Sequence, residues 1–194
     1  MKFCSACGST VTTEVPDGDN RPRHVCTVCG TIHYQNPKIV TGCIPVWEDQ
    51  ILLCRRAIEP RRGLWTLPAG FMENEESAQE GAARETLEEA NARVKVEQLY
   101  TTFNLPLISQ VYLLFRGELE DLEFSPGHES LEVALFKEGD IPWDELAFPV
   151  VRETLKLFFR DRQSGRFVHR VGDIYWKSRR AGEYRVSMLT GDDA

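Results

Sequence analysis

A chain of 194 residues with 42% hydrophobic and 27% charged residues has the balance of an ordinary globular protein, long enough for one good core or for a small module joined to a medium domain. Its formal charge of −7 argues against broad nucleic-acid binding, which clustered Lys and Arg drive. No apolar run reaches membrane-spanning length, and the opening MKFCSACG has no signal-peptide core, so the expectation is a cytoplasmic protein without a membrane partner.

Two C-x2-C knuckles, Cys4/Cys7 and Cys26/Cys29, come first, eighteen residues apart and each followed by glycine. This spacing suits a four-thiolate structural Zn²⁺ site, and a chain without a secretion signal has little use for two disulfides instead. His24 lies among four available sulfurs and reads as an ordinary polar residue. Between the knuckles, alternating residues and the turn Pro16-Asp17-Gly18 predict a short hairpin. A module this small needs metal for its stability. Its expected role is structural or dimer-forming, since Lys2, Arg21 and Arg23 make only a sparse basic surface.

From residue 35 the pattern is that of an α/β domain running to 161, followed by a C-terminal extension, 162–194. Strands are predicted at 38–47 and 50–56, turning at Glu48-Asp49, with a short one at 65–68. Cys43 and Cys54 fall inside apolar runs and read as buried hydrophobes. A helix follows at 77–90, with Ser77 and Glu80 forming a capping box and Ala78, Ala82 and Leu87 as its inner face. Further strands are expected at 94–100, 110–118 and 131–137, and a second helix at 145–161. Mixed strands with a helix on each side imply an α/β/α sandwich. In the extension, residues 167–189 read as one more hairpin and the terminal GDDA as a frayed end, with no chemistry assigned.

The chemistry concentrates in the first helix. Glu85, Glu88 and Glu89 stand at i, i+3 and i+4, which puts their Cβ atoms about 5–6 Å apart on one helix face. Three like charges so close are either solvated or share a cation, and hard cations such as Mg²⁺ take oxygen ligands of this kind. Around them the spacing is G-x5-E-x7-R-E-x2-E-E, from Gly70 through Glu76 and Arg84 to Glu89.

That pattern closely resembles the Nudix box, the signature of hydrolases that cleave a nucleoside diphosphate linked to another group. The departures lie at its edges: Thr86 replaces an aliphatic residue, and Asn91-Ala92 replaces glycine and an aliphatic residue. Asn91 still suits the left-handed turn that ends a helix. The resemblance implies a Nudix α/β/α sandwich with a mixed sheet. It also implies a catalytic set of Arg84, Glu85, Glu88, Glu89 and Glu129, with Mg²⁺ or Mn²⁺ held by the four glutamates and Gly70 and Glu76 in support. Glu132 is the alternative to Glu129 as the late carboxylate.

Within that superfamily, the ribbon, YQNPK, GLWTLPAGF, NLPLISQVY and PGHESLE together resemble the plant chloroplast FAD pyrophosphatase and its bacterial relatives, over most of residues 3–160. The implied activity is FAD to FMN and AMP, ADP-ribose to AMP and ribose 5-phosphate, or both, by a homodimer. With no transit peptide, the likeness is to the bacterial members. The alternatives are an NADH pyrophosphatase or RNA-decapping enzyme, whose SQPWPFPxS segment shares only a proline with TTFNLPLISQ, and a non-enzymatic nucleotide sensor. Arg55 and Arg56 are candidates to meet phosphate, and Trp65, Phe103, Tyr112 or Phe148 to stack on a ring, against the commoner fate of strand aromatics as core.

Overall fold

The computed structural model describes residues 1–176 and 183–190, and they fall into two compact units, Met1–Pro37 and Lys38 onward. In the first unit, β1 (Val11–Glu14), β2 (Arg23–Cys26) and β3 (Ile32–His33) form a small antiparallel sheet. The hairpin expected between the knuckles is β1 against β2, with Val11 opposite Cys26 and Glu14 opposite Arg23.

In the second unit the chain runs β4 (Lys38–Trp47), β5 (Gln50–Arg56), β6 (Trp65–Thr66), β7 (Ala69–Phe71), α1 (Ala78–Ala90), β8 (Val94–Leu105), β9 (Gln110–Leu119), β10 (Ser130–Lys137), α2 (Pro149–Ser164), β11 (Arg170–Trp176) and β12 (Tyr184–Met188). Among the described residues the strands make one mixed sheet in the order β10-β5-β4-β9-β8-β11-β12, with β6 paired to β5 and β7 to β4. The β4–β9 and β8–β11 pairs are parallel.

Alternation along the strands separates the two faces. Cys43 and Phe115 pack with Ala82 of α1. Their neighbours Ile44 and Leu114 point the other way, into the larger cluster that holds Leu155, Phe158 and Phe159 of α2. The two helices therefore cover opposite faces, giving the three-layer α/β/α sandwich that the resemblance implies. Cys43 and Cys54 are fully buried within it.

The expected capping box is present: the Ser77 amide donates to Glu80 and the Glu80 amide to Ser77 Oγ. Asn91 ends the helix in the left-handed region, φ 47°. Leu87 corrects the sequence reading, for it lies 51% exposed. The buried side of α1 is carried by Gly81, Ala82, Glu85, Thr86, Glu89 and Ala90. Thr86 tolerates that burial because its hydroxyl donates to the Ala82 carbonyl at 2.8 Å.

Element bounds shift for local reasons. The second helix starts at Pro149, whose fixed φ suits the first turn and holds Phe148 extended. The strand expected to stop at 100 continues to Leu105 because Thr101–Leu105 pair with both β9 and, in part, β11. In the expected tail hairpin, β11 and β12 pair antiparallel, while its turn, 177–182, and the terminal 191–194 lie outside the described residues. The pair extends the central sheet. Arg170 of β11 is buried against Asp161 of α2, with Nη1 and Nη2 donating at 2.5 and 2.8 Å, and Tyr100 Oη donates to the same carboxylate at 2.9 Å. Burial opposes the charge on Asp161, but the Arg170 and Tyr100 hydrogen bonds outweigh it and hold the carboxyl below its ordinary range.

Candidate active site

The four ribbon cysteines meet as the spacing predicts, with all four sulfurs within 4.8 Å of one another. Cys4–Cys29 and Cys7–Cys26 are 3.7 and 3.4 Å apart, too far for disulfides, and all are free thiols. Backbone amides of Ala6, Val28 and Cys29 point at knuckle sulfurs, and Cys29 is drawn down to about 6, first by the Thr31 hydroxyl. Four converging sulfurs with amide donors fit a structural Zn²⁺. His24 stays outside, near Thr13 and the N-terminus. His33, which the spacing did not single out, brings Nε2 to 3.3 Å from Cys4 Sγ.

In the second unit a cleft of about 1200 Å³ is lined by the acidic end of α1, by β7, and by the loop before β10. Arg84 organises its carboxylates. Its Nε and Nη2 grip Glu76 at 2.9 and 2.8 Å, and Nη1 donates to Glu85 at 2.7 Å and Glu88 at 3.0 Å. This grip, aided by the Glu73 amide, holds Glu76 down to about 2. In return the carboxylates raise the Arg84 guanidinium.

Glu85 and Glu89 are differently placed. Burial pushes the Glu85 carboxyl up despite Arg84. Glu89 is only 5% exposed and is pushed up to about 8, by burial first and then by the Glu85 charge. Its Oε2 has no hydrogen-bond partner among the described residues. A buried carboxylate oxygen costs free energy unless something satisfies it, and beside the Glu85 charge a divalent cation would do so. Gly70 supplies the room: a Cβ there would stand 2.4 Å from the Glu85 carboxylate.

The loop before β10 is fastened to the end of α1. Asn91 Nδ2 donates to the Ser125 and Pro126 carbonyls, both at 3.2 Å, and the Gly127 amide donates to Glu89 O at 3.0 Å. Any Cβ on Gly127 would lie 1.8 Å from the Glu88 carbonyl. This close approach places Glu129 and His128 in the cleft wall. Glu132 lies outside that wall, paired across the strands with Arg55 at 3.5 Å.

The proposed substrate contacts divide in the same way. Arg56, Tyr112 and Phe148 line the cleft, with the Arg56 guanidinium 5.1 Å from the Phe148 ring centre. Arg55 instead donates to Gly63 O and Glu132. Trp65 is 6% exposed, edge-on to Phe136, and Phe103 is 1% exposed, so both are core. Alternation sends those two rings inward, a fact that depends on strand register and not on spacing.

The sheet, the flanking helices and the carboxylate cleft are those of a Nudix-type α/β/α protein. A family model described as "NUDIX domain" matches residues 36–158, and one described as "Nudix N-terminal", a zinc ribbon, matches 2–35; the chain belongs to the Nudix family. The crystal structure of a NUDIX hydrolase from Nitrosomonas europaea is 58% identical, with a TM-score of 0.88 over 90% of this chain and 99% of that one. The NAD-capped RNA hydrolase NudC of Photobacterium profundum is 31% identical over 146 residues, 73% of this chain and 52% of that protein. An ADP-ribose pyrophosphatase of Methanocaldococcus jannaschii is 31% identical over 124 residues, 59% of this chain and 69% of that protein. This chain thus spans about half the length of the NudC proteins it matches. Among the described residues no helix is long and apolar enough to cross a membrane.

Proposed function

We propose that this protein is a divalent-metal-dependent hydrolase that splits the pyrophosphate of a nucleoside diphosphate derivative, with FAD or ADP-ribose, or both, as substrate. The observation that carries this reading is the buried Oε2 of Glu89, which has no hydrogen-bond partner among the described residues and stands beside the Glu85 charge in the cleft. Glu85, Glu88, Glu89 and Glu129 would hold Mg²⁺ or Mn²⁺, and the bound ion would neutralise phosphate charge and lower the pKa of water.

The chain's own residues do the positioning. Arg84 fixes Glu85 and Glu88 through its hydrogen bonds and is itself locked by Glu76. Gly70 keeps the space at Glu85 open. Arg56, standing in the cleft, is placed to meet a phosphate oxygen. In the reaction water adds to one phosphorus, the bond to the bridging oxygen breaks, and the departing monophosphate carries the electron pair. The water proton passes to a cleft carboxylate.

The ADP-ribose reading is supported by the Methanocaldococcus relative. FAD rests on the motifs NLPLISQVY and PGHESLE. A second reading, cleavage of NADH or an NAD cap, is favoured by the likeness to NudC and opposed by TTFNLPLISQ in place of SQPWPFPxS. A homodimer and a cytoplasmic setting belong to the proposal as well. Product analysis with FAD, ADP-ribose and NADH separates the readings: FMN and AMP from FAD support the flavin reading, and cleavage of NADH alone supports the second.

A further inference from the structure

The tail strand reaches the cleft. Trp176, the last residue of β11, lies beyond the stretch that the NUDIX model matches, 36–158, yet it lines the same cleft as Glu85 and Glu89. Its position is built into the core sheet. β11 runs parallel to β8, with Gly172 beside Phe103, and Phe103 in turn faces Tyr112 of β9. Gly172, Ile174 and Trp176 therefore share the sheet face that carries Phe103 and Tyr112. A Cβ on Gly172 would come within 2.9 Å of the Phe103 ring, so strand and ring are in tight contact. The Arg170–Asp161 pair anchors the start of the strand, and Tyr184, opposite Trp176, donates its hydroxyl to Glu153 of α2 at 2.7 Å.

Of the aromatic rings that line the cleft, two already carry a cation: Lys38 stands 4.5 Å from the Phe71 ring centre and Arg56 5.1 Å from that of Phe148. Among the described residues no cation stands over Tyr112 or Trp176. Both are half-buried, with Leu105 and Ile108 nearby in the wall. Aromatic and aliphatic side chains lining the same cleft as a cluster of carboxylates match a substrate with a planar ring at one end and phosphates at the other.

We propose that Trp176 is a specificity-determining residue whose indole stacks on the planar ring of the nucleoside diphosphate derivative, so that the tail strand is part of the binding site. This rests on the hydrolase reading above.

The test uses the full-length protein with Mg²⁺ and the variants Trp176→Ala, Trp176→Leu and Trp176→Phe. Leu keeps apolar packing without a ring, and Phe keeps the ring. For FAD or ADP-ribose, whichever the wild type cleaves, Ala and Leu should raise KM about tenfold with kcat within about twofold, and Phe should restore KM to within about threefold. Should Ala fail to fold, the Leu and Phe pair decides. Leu and Phe variants with the wild-type KM would overturn the proposal while leaving the hydrolase reading intact. If the wild type cleaves none of the substrates, that reading fails by itself. Calorimetry with AMP and FMN then tests the stacking alone: weaker binding by Leu and recovery by Phe support it, and equal affinities, or no binding to the wild type, overturn it.

Discussion

Gly70 and the Glu85 carboxylate are so close that a single added methyl group would sit 2.4 Å from Cδ and both oxygens. The neighbour is the end of a side chain, so it can move. Moving it pulls Glu85 away from the Arg84 hydrogen bond at 2.7 Å. Gly70→Ala should therefore leave the fold within about 1.5 kcal/mol of wild type and lower Mg²⁺ affinity about tenfold or more. A Mg²⁺ titration of activity beside a thermal melt checks this, and unchanged affinity would refute it.

Glu89 makes the metal-free protein sensitive to pH. Its folded pKa of about 8 lies above the unfolded value of about 4.3, so the folded state binds the extra proton between those values. Stability should then fall as pH rises from about 4.3 to about 8 and level off above. Glu89→Gln removes its share of that slope and leaves the part owed to the raised Glu85 carboxyl. At pH 8 and without metal the variant should be more stable by about 1–3 kcal/mol, or several degrees in Tm. Melts in a chelator at pH 5 and pH 8 give the answer, and parallel pH slopes for the two proteins would contradict it.

Asp161 has the opposite sign. Its folded pKa is depressed, so its contribution is present above the unfolded value of about 3.9 and is lost as pH falls below it through the folded pKa. Asp161→Ala removes the buried acceptor shared by Arg170 and Tyr100, and denaturant unfolding at pH 7 should show a loss of about 3–5 kcal/mol. The loss should shrink toward pH 3.

Gly127→Ala tests the attachment of the late-carboxylate loop. The added carbon meets backbone, the Glu88 carbonyl at 1.8 Å, and backbone cannot swing aside as a carboxylate can. Activity should drop at least tenfold, with Glu129 displaced from the cleft. An active variant with wild-type kcat would place that loop outside the chemistry.

The parts of this molecule that were legible in the sequence are those set by short-range spacing. The knuckle cysteines, the capping box of Ser77 and Glu80, the left-handed Asn91 and the gathering of Glu85 and Glu88 on Arg84 each follow from neighbours a few residues apart. Features that depend on strand register or on distant segments were not. Trp65 turns into the core, Leu87 turns out to solvent, and Trp176 arrives in the cleft from a strand whose pairing with β8 no local pattern announces. The grip of Asn91 on Ser125 and Pro126 had a signal in hindsight, an asparagine with a free amide at the end of the acidic helix.

Hydrolysis of a nucleoside diphosphate derivative at the α1 carboxylates, with the help of a divalent ion, can be observed through its products. The most direct measurement is chromatographic product analysis after incubating the purified protein and Mg²⁺ with FAD, ADP-ribose and NADH separately, with Glu89→Gln alongside. The expected products are FMN and AMP from FAD, or AMP and ribose 5-phosphate from ADP-ribose, with turnover lowered by orders of magnitude in the variant. Turnover at the wild-type rate in Glu89→Gln, or no product from any of the three, would contradict it.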